Sequence, residues 1–218
     1  MKHCLVTLAA LTVAASSFAQ GTVTMLLLAF AGTTLVGDDL RHGGLTFYLS
    51  RRLGKWHYVL GKLLSIGLLV SLTTTIPALV LYAEYGLLTE STAYFRENLG
   101  ILRGILGYGF TLALVLSLVL LALASWLPRT VPLVMAWTGV FAFLPVAGGL
   151  LREAYGERRW LLLSLWRDVR LIGTWFFGAV DTQRELELLN PSLLTVALVC
   201  VAAMIAIWPR IRAARIVA

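Results

Sequence analysis

Histidine, cysteine and charged side chains are scarce in this chain, and each shortage removes a class of function. Only 13% of the 218 residues are Asp, Glu, Lys or Arg, against about a quarter in soluble domains. The three histidines, His3, His42 and His57, do not cluster, and no HExxH occurs, so a metal centre is not expected. Cys4 and Cys200 each lie in an apolar run. They read as small hydrophobic residues rather than a disulfide or half of a metal site. No Asp, Glu or Lys stands in the middle of the clear apolar runs, and a proton- or sodium-coupled carrier usually needs such a group. Glu84 and Glu90 are read as solvated loop residues at the outer end of a span. A phosphate-binding loop is also missing. Gly54 and Gly61-Lys62 are six residues apart between glycines rather than four, and Leu63 stands where Ser or Thr is required. Ser71, Thr111 and Ser117 are hydroxyls in apolar runs. Such groups ordinarily bond back to the helix backbone, so an intramembrane enzyme is not expected.

What remains is hydrocarbon. Hydrophobic residues make up 59% of the chain and its mean hydropathy is +0.86. This composition predicts an all-α, polytopic helical membrane protein, with residues 1–218 forming one transmembrane domain. Five clear spans are predicted: Thr22 to Gly37, Val59 to Ala83, Ile105 to Leu127, Val131 to Leu151 and Ser192 to Trp208, the last bracketed by Pro191 and Pro209. Pro128, Arg129 and Thr130 alone join the third and fourth, which predicts a tight helical hairpin. Pro77 predicts a kink in the second span, with Thr73, Thr74 and Thr75 placed to satisfy freed carbonyls. The formal charge of +7 is spread over several loops and fits anionic headgroups better than nucleic acid.

Two segments resist a simple reading. Met1 to Gln20 is compatible with a signal peptide cleaved after Ala19, with one long tilted helix continuing into Thr22 to Gly37, or with the tail of a truncated span. Arg152 to Asn190 carries Arg167, Asp168 and Arg170 amid apolar residues, with Trp160, Trp166 and Trp175 around them. Three charges make a span too costly. Interfacial or re-entrant helices, or an amphipathic loop helix, are expected instead. Basic residues divide almost evenly between the two sides, so they do not fix the orientation.

The segment Gly37 to Lys62 is the least ordinary part of the sequence. Gly43 and Gly44 permit a sharp turn after Asp38 and Asp39. Leu45, Tyr48, Leu49, Leu53 and Trp56 then recur at helical spacing, with Arg51, Arg52 and Lys55 largely off the stripe. The pattern predicts a short amphipathic helix on the membrane surface. It either rests in headgroups or presents Phe47, Tyr48 and the arginines to a cytoplasmic partner.

The succession Asp38-Asp39-Leu40-Arg41, Gly43-Gly44-Leu45, Phe47-Tyr48-Leu49-Ser50-Arg51 and Tyr58-Val59-Leu60-Gly61-Lys62 resembles that of permease subunits of type-2 ABC transporters. The likeness is specific over Gly37 to Lys62 and generic elsewhere. The Arg-x-Arg pattern in Arg210 to Val217 is similar to the tails of these permeases. The resemblance implies that Gly37 to Lys62 is a cytoplasmic coupling loop whose helix docks in a separate ABC ATPase subunit. Leu45, Phe47, Tyr48, Leu49, Arg51 and Arg52 are then the contact residues. It further implies a multi-pass protein of the cell's inner (cytoplasmic) membrane, paired with a second copy or a paralogue, and acting as an exporter. ATP and Mg would be bound by the ATPase partner, with no cofactor in this chain. Arg152 to Asn190 would lie outside. Arg52 stands where the family usually has proline, which implies a longer helix, and five spans are read where the family has six. A haem-exporter-like permease of cytochrome c maturation, or a non-transport membrane scaffold or assembly protein, are the alternative expectations.

Overall fold

A computed structural model describes residues 24–30, 55–88, 93–127, 129–179 and 183–213. Every element among them is helical. In chain order these are α1 (residues 24–30), α2 (Lys55–Thr73), α3 (Thr75–Leu88), α4 (Ala93–Glu97), α5 (Leu99–Trp126), α6 (Thr130–Thr138), a π-helical stretch (Gly139–Phe143), α7 (Leu144–Tyr155), a 3-10 turn (Arg158–Leu163), α8 (Leu165–Phe176) and α9 (Gln183–Ala213). Four helices among the described residues are long and apolar enough to cross a membrane: Trp56–Leu88, Leu99–Trp126, Thr130–Tyr155 and Glu185–Pro209. This is the pattern of a multi-pass membrane protein. They cover the second to fifth predicted spans. Of the first, Thr22 to Gly37, only residues 24–30 are described, and Met1 to Gln20 lies outside the described residues.

Helix α5 is the centre of the bundle. Leu112, Val115, Leu116, Leu120 and Ala124 are all but inaccessible, because α2, α8 and α9 pack around it. Helix α2 runs antiparallel to α5. Gly67 lies opposite Ala113, and a Cβ on Gly109 would strike Thr75. Helix α9 runs parallel to α5, since Trp126 Nε1 donates to the Ala206 carbonyl at 3.0 Å. At this same end the rings of Trp56 and Trp208 lie 5.4 Å apart. Three tryptophans thus gather at one end of the bundle, the position such amphipathic rings favour at a membrane–water boundary. Lys62 lies over the Tyr58 ring, 5.9 Å from its centroid, near the same end. Helices α4 and α8 and the 3-10 turn occupy the opposite end.

Several boundaries differ from the sequence expectation. The second span runs on to Leu88, so Glu84 is an exposed residue in the last turns of α3 rather than a loop residue. Helical geometry breaks at Thr74, three residues before Pro77. The Thr73 hydroxyl bonds to the Leu69 and Val70 carbonyls and that of Thr74 to Val70, one turn upstream of the proline. Thr75 does not join them; its buried Oγ1 has no hydrogen-bond partner among the described residues. Pro191 and Pro209, read as brackets, lie inside α9. A proline deletes one donor, yet α9 runs through both sites and packs on α5 and α8. Of the expected hairpin at Pro128, Arg129 and Thr130, Pro128 lies outside the described residues; α5 ends at Trp126, α6 begins at Thr130, and the two helices are in contact. The π turn at Gly139–Phe143 was not expected. It widens the fourth span just before Pro145, with Leu144 N–H reaching back to the Gly139 carbonyl.

Trp137 anchors α1. Its side chain is buried, and its Nε1 donates to the Met25 carbonyl at 3.1 Å. Trp137→Phe keeps most of the packing but removes the donor. It should lower unfolding stability by about 1 kcal/mol, the net worth of one intramolecular hydrogen bond, as read from thermal unfolding in detergent.

Candidate functional site

The residues expected to contact an ATPase, Leu45, Phe47, Tyr48, Leu49, Arg51 and Arg52, all lie outside the described residues, as do residues 214–218 of the basic tail. The helix into which the first of these segments leads is described. Helix α2 starts at Lys55 and rises from the tryptophan-bearing end, and with α3 beyond the break at Thr74 it makes up the 33-residue apolar stretch Trp56–Leu88.

The other polar feature is internal, and no sequence motif announces it. After α7, Gly156 takes a left-handed conformation (φ 71°) and returns its N–H to the Arg152 carbonyl, as helix-terminating glycines do. The chain then passes through the 3-10 turn, which crosses α7 so closely that a Cβ on Gly148 would sit 2.6 Å from the Trp160 carbonyl oxygen. Ser164 starts α8 by accepting from the Arg167 N–H at 3.4 Å. Helix α8 is twelve residues long, or about 18 Å, too short to span a bilayer. Its strongly two-faced sequence buries Leu165, Asp168, Val169, Ile172 and Gly173. Within the Arg152 to Asn190 region the helices at Arg158–Leu163 and Leu165–Phe176 are thus too short to span, while residues 152–155 and 185–190 belong to the long apolar helices on either side.

Asp168 is the charged residue on that buried face. It is 2% exposed. Ser192 on α9, 1% exposed, donates its hydroxyl to Asp168 Oδ1 at 3.0 Å. Asp168 Oδ2 is buried with no hydrogen-bond partner among the described residues. Loss of water pushes the carboxyl up to about 6, against the opposing pulls of the Ser192 hydrogen bond and the Arg167 charge. The other end of α8 is seated by aromatic rings on glycines. Phe177 covers Gly104 and Phe176 covers Gly107 on α5, and Tyr108 of α5 covers Gly173 of α8. Each ring lies where a Cβ would be, so only glycine allows the approach.

The hydroxyls considered as nucleophiles are engaged in the helix. Thr111 donates to the Gly107 carbonyl at 2.8 Å and Ser117 to that of Leu114 at 3.1 Å. Cys200 is a free, half-buried thiol on α9. Among the described residues no three His, Cys, Asp or Glu side chains come together. The Asp168–Ser192 pair can accept or release a proton and ties α8 to α9. No family model, curated protein or solved structure matches this chain.

Proposed function

We propose that this chain is the membrane-spanning permease subunit of an ATP-driven ABC transporter of the type-2 kind, acting as an exporter in the cell's inner membrane. A separate ATPase subunit hydrolyses ATP, and a second copy or a paralogue completes the pathway. The motif succession in Gly37 to Lys62 supports this reading. The structural observation that carries it is the continuity of that segment with α2 and α3. Its last residues form the first turns of a helix that runs from Trp56 to Leu88 along the central α5. A push delivered at Leu45 to Leu53 would be passed into α2, and the bundle would respond by tilting. The permease performs no bond chemistry. Its role is to turn movement of the ATPase into exchange between inward-open and outward-open arrangements.

The test is a gentle extraction of the tagged chain from a membrane holding its native neighbours. The parent chain should retain an ATP-hydrolysing protein, and Leu49→Glu, which places a charge on the apolar stripe, should lose it while still inserting in the membrane. An inserted parent chain that retains no ATPase even after mild crosslinking would overturn the proposal in favour of a scaffold.

A further inference from the structure

Asp168 raises a question that transport does not answer. A carboxylate with one oxygen unpartnered inside an apolar contact is costly, yet asparagine would fill the same space. The surroundings define what ligand the second oxygen could take. On its own helix, Arg167 is the charge that acts on Asp168. Arg152 of α7, Arg158 of the 3-10 turn and Glu185 of α9 act in turn on Arg167. From α5 the facing titratable group is Tyr108, which packs on Gly173 and lies within electrostatic reach of Arg170. The π stretch that also touches α8 holds no titratable residue. With one carboxyl and a cationic neighbour, a metal cation is a poor match. A proton fits: it needs a single oxygen, and it removes the charge that burial penalises.

We propose that the Asp168–Ser192 contact is a proton-operated latch, in which a proton taken up at the Asp168 carboxyl seats α8 against α5 and α9 and its loss releases the helix. In the seated state Oδ1 accepts from Ser192 and the proton resides on Oδ2. On release the proton passes to water, and the ionised carboxylate is rehydrated as α8 lifts away. The means of movement are at hand. Helix α8 is short, it is flanked by Ser164 at one end and by Gly178 in a left-handed turn (φ 66°) at the other, and rings resting on glycines rather than interlocked side chains hold its far end. The latch rests on this geometry alone and stands whether or not an ATPase binds.

Hydrogen exchange of the full chain in lipid nanodiscs tests it. Exchange of the 165–176 amides is compared between the parent and Asp168→Asn at each pH, so that the intrinsic pH dependence of exchange cancels. The parent-to-variant ratio should rise about fiftyfold between pH 4 and pH 7.5, the factor set by a carboxyl that titrates about two units higher when seated than when free. Half of the logarithmic rise should be reached by about pH 5, between the free and seated values. Amides of α5 should show no such rise. Ser192→Ala removes a bond that favours the ionised form, so its ratio should keep rising to a higher pH. A ratio that stays flat with pH would overturn the latch, as would a Ser192→Ala profile superimposable on the parent's.

Discussion

Leucine at both Gly104 and Gly107 should unseat α8 and lower the thermal midpoint by about 10 °C. A Cβ at Gly107 would come within 2.7 Å of the Phe176 ring, and one at Gly104 would collide with the ring of Phe177. Leucine adds further carbons behind that Cβ. Overpacking of this sort costs about 1–3 kcal/mol per site, and each kcal/mol moves the midpoint of a chain of this size by about 2–4 °C. The rings cannot both swing aside, because Phe176 also packs against the hydrophobic core. The check is thermal unfolding in detergent beside Gly149→Leu, whose added Cβ meets nothing within 4 Å and whose midpoint should scarcely move. Equal midpoints for the double variant and this control would show that the aromatic seats hold nothing in place.

Asp168→Asn should make the protein more stable at neutral pH by about 3 kcal/mol, that being the linkage energy of a carboxyl raised from near 4 to about 6. The sign comes from proton counts. Below pH 4 the carboxyl is protonated whether the chain is folded or not, and the aspartate carries no penalty. Between pH 4 and 6 the unfolded chain gives up the proton while the folded chain keeps it. Folded stability therefore falls as the pH rises through this window and levels off above it. Asparagine occupies the same volume, can still accept from Ser192, and has nothing to ionise. The difference in unfolding free energy between variant and parent should be smallest near pH 4, grow towards pH 6 and then hold constant. A pH-independent difference would mean that the carboxyl is not desolvated in the folded protein.

The two polar features were unequally legible in the sequence. Four of the five spans were readable because twenty-odd consecutive apolar residues permit few other structures. The extension of the second span to Leu88 was not, since Tyr85, Gly86 and Leu87 interrupt no pattern and Glu84 suggested a loop. Pro191 and Pro209 are a related case: a proline deletes one donor, and α9 runs through both. Asp168 could have been found. Leu165, Val169, Ile172 and Phe176 recur at helical spacing, and Asp168 falls on their face. Counted only as one of three charges in an apolar stretch, it was grouped with Arg167 and Arg170, although Arg170 is exposed. Its partner Ser192 lies 24 residues away and carries no local signal. The docking of α8 on Gly104 and Gly107 was likewise hidden, because glycines in an apolar helix do not name the rings that will cover them.

The π turn at Gly139–Phe143 has a consequence for the register of everything beyond it. One residue of a regular helix advances the side chains by about 100°, and a π turn holds one residue more than an α-helical path would need. It therefore works as a phase shifter within the fourth span, turning α7 relative to α6 by what amounts to one position on the helical wheel. It is this rotation that aims Gly148 at the Trp160 carbonyl while Trp137, one side of the shift, still faces α1. Deleting a single residue between 139 and 143 would remove the surplus and leave α7 in its present orientation, whereas forcing the stretch into a regular helix with every residue kept would turn α7 by about 100°. Gly148 would then point elsewhere, a larger side chain would meet the 3-10 turn, and the route by which the chain reaches α8 would be lost through rotation rather than through any missing contact.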